Sequence, residues 1–122
     1  MALLDVSAIL LAAVFLYSGA DKILHWRDGV AEVTELGMPF PAVFAAATIA
    51  TQLVGGLAVA SGIFAGLGAL LLGLFTILAT VLGHKFWLRH GAEAKRELTT
   101  ALEHLAIVGG LLGVVIRHGI FG

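Results

Sequence analysis

Long apolar stretches alternate with short polar ones along this chain, and the apolar stretches are too long for the elements of a soluble core. They run from about Leu3 to Leu24, Ala42 to Ser61, Gly66 to His84 and Leu98 to Arg117. A helix needs about 20 mainly apolar residues to cross a hydrocarbon core roughly 30 Å thick. Each stretch is therefore expected to be a membrane-spanning helix, because in lipid the backbone N–H and C=O groups must be satisfied within the segment. The period-two alternation of a membrane barrel strand is absent. The pattern predicts an all-α fold, an integral membrane four-helix bundle, as one transmembrane domain over residues 1–122. The first stretch has no basic residues ahead of it, so it reads as a spanning helix rather than a cleaved signal.

The polar connections add detail. Between the first two spans, Trp26, Val30, Val33 and Leu36 share one helical face, with Arg27, Asp28, Glu32 and Glu35 on the others. That pattern predicts a short amphipathic helix lying in the membrane interface, ended by Gly37 at C′ and Pro39 as a stop. An uncharged hairpin, Ser61 to Gly66, joins the second and third spans, and a polar loop from Lys85 to Glu97 joins the third and fourth. Lys22, Arg27, Lys85, Arg89, Lys95 and Arg96 all fall on one side of the bilayer, against Arg117 on the other. By the positive-inside rule, the connections after the first and third spans are cytoplasmic and both termini lie outside.

Greasy surface gives membrane helices no reason to associate, because lipid tails are equally apolar; close backbone approach and interhelical hydrogen bonds do. Stripes of mostly small or polar residues should therefore face inward. The first span offers Asp5, Ala8, Ala12, Phe15, Gly19 and Lys22, the second Thr48, Gln52, Gly55 and Val59. The third offers Ala69, Gly73, Thr76, Thr80 and His84, the fourth Glu103, Ala106, Gly110, Gly113 and Arg117.

Composition narrows the chemistry. The chain is 60% hydrophobic and 12% charged, about half the charge of a soluble domain, and its net charge of −1 includes no basic stripe for nucleic acid. It has no cysteine, which removes thiolate nucleophiles, disulfides and iron–sulfur ligation. The acid nearest the membrane interior is Asp5, close to one end of its span, which argues against an ion-coupled pump with a carboxylate at mid-depth.

Polar groups gather instead where the spans meet the cytoplasmic side: Asp21, Lys22 and His25, then His84 and Lys85, then Glu103 and His104, with Trp26 and Trp87 at the same level. Such a ring at the mouth of an apolar bundle suits the head of an amphipathic ligand, and a quinone is the natural candidate. Its carbonyls would accept from Lys22 or His84, with Gln52 deeper, Trp87 as a packing wall and its prenyl tail between helices; a histidine could exchange the protons of quinol oxidation. Glu103 is expected to be buried beside Lys22. The competing reading makes the Lys, Trp and His residues ordinary interface anchors. A metal held by His84, Glu103 and His104 is the weaker alternative, since adjacent residues on a helix point about 100° apart. No haem, flavin or resident metal is expected.

Several segments together resemble the DoxX-like four-helix membrane proteins. They are Ser18-Gly19-Ala20-Asp21-Lys22, Gly37-Met38-Pro39, Gln52-Leu53-Val54-Gly55-Gly56-Leu57, His84-Lys85-Phe86-Trp87 and Leu105-Ala106-Ile107-Val108-Gly109-Gly110-Leu111-Leu112, in order over nearly the whole chain. The resemblance implies a bacterial inner-membrane protein, and its namesake relatives are linked to thiosulfate:quinone oxidoreductase and quinol oxidase systems. This chain departs from that pattern at Gln52, where an acid is frequent, and at Glu103-His104, where a Lys-Asn pair is frequent. The expected role is a quinone- or lipid-binding subunit supporting a redox partner, itself not catalytic alone. The alternatives are a non-enzymatic membrane scaffold or assembly subunit, sensitive at Gly55, Gly73 or Gly110, and a small exporter; the expected partner is a membrane or redox protein or a second copy of the chain.

Overall fold

The computed structural model describes residues 3–83 and 91–119. Within these it is all-helical: α1 (Leu3–Leu24), α2 (Trp26–Glu35), α3 (Pro41–Ser61), α4 (Ala65–Gly83) and α5 (Gly91–His118). The four longer helices are long and apolar enough to cross a membrane. Their outer faces are apolar, with Leu10, Tyr17, Val54, Leu57, Leu74 and Ile116 all more than half exposed.

Local signals end the short elements as expected. The N–H of Gly37 closes on the Thr34 carbonyl at 3.0 Å after α2, with Gly37 at φ +76°, a left-handed value that favours glycine. The buried side of α2 is Gly29 with the partly buried Val30 and Val33, whereas Trp26 and Leu36 are about 40% exposed. α2 packs on α3 and the end of α1.

The fourth span starts earlier than hydropathy suggests. Residues 91–97, expected in a polar loop, form the first two turns of α5. Ala92, Glu93, Ala94, Lys95, Arg96 and Glu97 are strong helix formers, but their polarity hides a helix from a hydropathy window. At about 1.5 Å per residue, the 28 residues of α5 extend roughly 42 Å, beyond the thickness of the hydrocarbon core.

The core is built largely from the predicted stripes. Ala8, Ala12 and Phe15 of α1, Val59 of α3, and Ala65, Ala69 and Leu72 of α4 are buried together, and Gly19, Gln52, Gly55, Gly73 and Thr76 are buried on the same faces. The stripe on α5 is displaced by one residue. Leu111 and Val114 are buried there and His104 and Ile107 partly buried, whereas Glu103, Ala106, Gly110, Gly113 and Arg117 are exposed. The cause is complementarity: α4 already offers the small face, and Leu111 fills the space over Gly73, its Cδ1 lying 3.9 Å from where a Cβ would stand. Two small faces brought together would leave a gap.

Neighbours in the bundle run α1 to α3, α3 to α4 and α4 to α5, and α1 and α5 touch along a short stretch only. That stretch lies away from α2, where Arg117 donates to Asp5 Oδ1 at 3.0 Å and Leu11 lies over Gly110. From Val14 on α1 and Ile107 on α5 toward α2, the helices border a partly open cavity instead.

Candidate functional site

This cavity has a volume of about 690 Å³. Phe15, Phe44, Phe75, Leu78 and Ile107 are among its apolar walls, and Ser18, Lys22, Gln52, Thr76 and His104 supply polar groups, with α2 contributing Glu32, Val33 and Leu36. An apolar chamber of this size with a few convergent polar groups is the usual form of a small-molecule site.

Lys22 enters it by pointing backward. A helical side chain leans toward its helix N-terminus, and here the ammonium donates to Ser18 Oγ, one turn earlier on α1, at 2.6 Å. The stem passes over Gly29, where an added Cβ would stand 3.8 Å from Lys22 Cγ. An interfacial lysine ordinarily snorkels outward to water, but this one reaches toward the span's interior. Among the described residues no carboxylate pairs with it; nearby, Asp21 Oδ1 lies 3.1 Å from His25 Nδ1 on the exposed side.

Ser18 is also the partner of Gln52, whose Nε2 donates to Ser18 Oγ at 3.1 Å from across the α1–α3 interface. Gln52 is 5% exposed, and its Oε1 has no hydrogen-bond partner. A buried amide oxygen left unsatisfied costs roughly 1–3 kcal/mol, so such groups are rare in folded proteins. Gln52 is one of the residues that line the cavity, although Oε1 itself is sealed within the helix packing.

A second polar line descends α4. Thr76 Oγ1 donates to the Leu72 carbonyl at 2.8 Å, and Thr80 Oγ1 donates to the Thr76 carbonyl at 2.7 Å. Thr80 has one hydroxyl hydrogen, so toward His104 Nδ1, 2.8 Å away, it can only accept. With that hydrogen committed to the Thr76 carbonyl, a neutral His104 would carry its proton on Nδ1. Replacing Thr80 with valine should remove this constraint. Nitrogen NMR of ring-labelled His104 should then show the population moving toward the Nε2–H tautomer. An unchanged Nδ1–H signal would mean that Thr80 does not set the tautomer.

Of the residues expected to hold a head group, Lys22 and Gln52 are brought together through Ser18. His84 and Trp87 lie outside the described residues. Glu103 is exposed and does not line the cavity, so the expected burial beside Lys22 is not found. His104, one residue on, turns inward in its place, the same displacement that moves the whole α5 stripe. No cluster of three metal-ligating side chains occurs among the described residues, and the suggested set included His84. Ser18 and Thr80 were missed as site residues; Ser18, four residues before Lys22 on the same face, carried a readable signal.

Among curated proteins and among solved structures, no match was found. The family model described as DoxX matches residues 6–85, from the start of α1 to just past α4, including Ser18, Lys22 and Gln52 but not His104. With well over half of its 122 residues matched, a cavity between its helices and four candidate membrane spans, the chain belongs to the DoxX family.

Proposed function

We propose that the cavity binds the head of an amphipathic, carbonyl- or hydroxyl-bearing lipid, a prenylated quinone above all, and that the protein serves as a quinone-binding membrane subunit for a redox partner. The observation that carries this reading is an apolar chamber lined by Lys22, Ser18 and Gln52 together, polar residues joined by hydrogen bonds in a mostly apolar wall. Pockets for ligands of this kind occupy roughly 300–1,000 Å³, so about 690 Å³ admits a quinone ring and the first part of its tail. Lys22 supplies a charge-assisted donor to a ring oxygen, and Phe15 and Phe75 supply flat apolar surface. His104 stands on the far wall as a group able to exchange a proton. With the orientation expected from the basic residues, the polar end of the cavity faces the cytoplasm of a bacterial inner membrane.

The electrons would come from a partner, because the sequence has no cysteine and the side chains offer no redox centre of their own. The test is gentle extraction followed by native mass spectrometry with identification of the released lipids. A prenyl quinone retained near one per chain, and displaced by a soluble short-chain quinone, is the expected result. A chain that carries only bulk phospholipid and ignores the short-chain quinone overturns the reading.

A further inference from the structure

Lys22 stands where two cavities meet. Besides the apolar chamber it lines a smaller polar cleft of about 310 Å³ at the end of α1 and along α2, together with Asp21, His25, Asp28, Gly29 and Glu32. Three carboxylates share that cleft, yet none of them pairs with Lys22. Its ammonium donates to Ser18 Oγ at 2.6 Å instead, and Ser18 lines the chamber and not the cleft. Both residues are only partly buried. An ammonium carries three N–H groups. Ser18 accepts one, and among the described residues the other two meet no acceptor of the protein. The fold thus sets a positive charge on a neutral partner at the polar end of an apolar space. Glu32 and Glu35 also line the chamber, but from exposed positions on α2, where water and salt screen them. For a head seated at Ser18, the nearest charge is the ammonium.

We propose that Lys22 makes the chamber selective for an anionic head: an ionised oxygen on an apolar body, as in an acidic hydroxyquinone, is preferred to the neutral quinone of the same shape. This rests on the quinone reading above and deepens it by naming the charge of the head. An ionised oxygen accepts from the unused N–H groups and supplies the counter-charge that Ser18 lacks, and such doubly charged hydrogen bonds are the strong ones. Desolvation of the anion opposes binding. The opposition is limited here, because Lys22, Gly29 and Glu32 line both cavities, so the polar end of the chamber borders the polar cleft. A fatty carboxylate offers the same chemistry on a different body, and the aromatic walls of Phe15 and Phe75 favour the flat ring.

The experiment is an equilibrium titration of the purified full chain in a non-ionic detergent with two matched probes. One is a short-chain 2-hydroxynaphthoquinone at a pH where its hydroxyl is ionised, and the other is its 2-methoxy ether, which cannot ionise. The wild-type chain is expected to bind the ionised probe about tenfold more tightly or better, the scale by which a charged pair exceeds a hydrogen bond to a neutral group. Lys22→Arg keeps the charge and should keep the preference. Lys22→Met should bring the two probes within about threefold of each other. The proposal is overturned if wild type binds both probes equally, or if the preference survives in Lys22→Met. A saturated fatty carboxylate of similar length is the third probe. Should it bind in a Lys22-dependent way while neither naphthoquinone binds, the quinone reading fails and the selectivity for an anion stands. Should none of the three bind, both fail.

Discussion

Exchanging Lys22 for methionine is expected to weaken binding of a short-chain quinone by roughly 10- to 100-fold while leaving the fold as stable as before, or more so. The opposite signs are the point. A hydrogen bond from an ammonium to a ligand oxygen is worth about 1.5–3 kcal/mol, and a tenfold change in affinity is about 1.4 kcal/mol. The same ammonium contributes little to folding. It is partly buried, its partner is a neutral hydroxyl, and among the described residues no carboxylate offsets its desolvation. Methionine keeps the flexible apolar stem over Gly29 and removes the charge. Binding is measured by titration in detergent, and stability by thermal unfolding of the same samples. If both fall together, Lys22 is a strut between α1, α2 and Ser18, and its place in the quinone site is lost.

Adding one methyl group at Gly68 should cost more stability than any other small change in the bundle, on the order of 2–3 kcal/mol. A Cβ there would stand 2.7 Å from Ala58 Cβ and 3.0 Å from the Gly55 carbonyl oxygen. Overpacking a membrane or soluble core typically costs about 1–3 kcal/mol, and neighbours that rotate away keep the cost low. Neither neighbour here can rotate: one is a backbone oxygen and the other a methyl fixed to backbone. The α3–α4 interface would have to open as a whole. Gly55 and Gly56 also have close neighbours, but these are the branched ends of Leu72 and Leu16, which can shift. Gly109→Ala is the control. Nothing lies within 4 Å of its added Cβ, so it should be neutral or gain up to about 1 kcal/mol of helix propensity. Unfolding in mixed micelles separates the two variants, and equal stability for both would remove Gly68 from the interface.

The contrast among these glycines bears on what the residue pattern alone can reveal. Hydropathy located the membrane spans because length and apolarity act directly on the cost of placing backbone in lipid. Small residues at three-to-four spacing gave the inward faces of α1, α3 and α4 because close approach needs them. The same rule misled on α5, where Gly110 and Gly113 lie outside and Leu111 points in. Packing requires one partner to be large where the other is small, and a single helix read by itself cannot show which it is. That error of about 100° made Glu103 the expected inward group and left His104 as a minor metal candidate. It also explains why Gly110, exposed and in ordinary contact, was expected to matter as much as Gly55. Lys22 and Gln52 were legible because a lysine and a glutamine are conspicuous in apolar runs. Their meeting through Ser18 was not, since it depends on the rotation of α1 against α3.

On the proposed reading, the short meeting of α1 and α5 bears on how a ligand would arrive. Beyond Leu11 and Gly110 the two helices share little contact, and on the reading proposed above a lipid ligand would enter between them from the acyl chains. A hydrophobic ligand reaching Gln52 this way stays in one phase throughout. Its effective concentration is then a mole fraction in the bilayer, already raised by about 0.8 kcal/mol for each methylene of its tail. Lengthening the tail would therefore tighten the dissociation constant expressed per litre of buffer while leaving the constant expressed per lipid nearly unchanged. Selectivity among tails would belong to the membrane, and selectivity among heads to the protein.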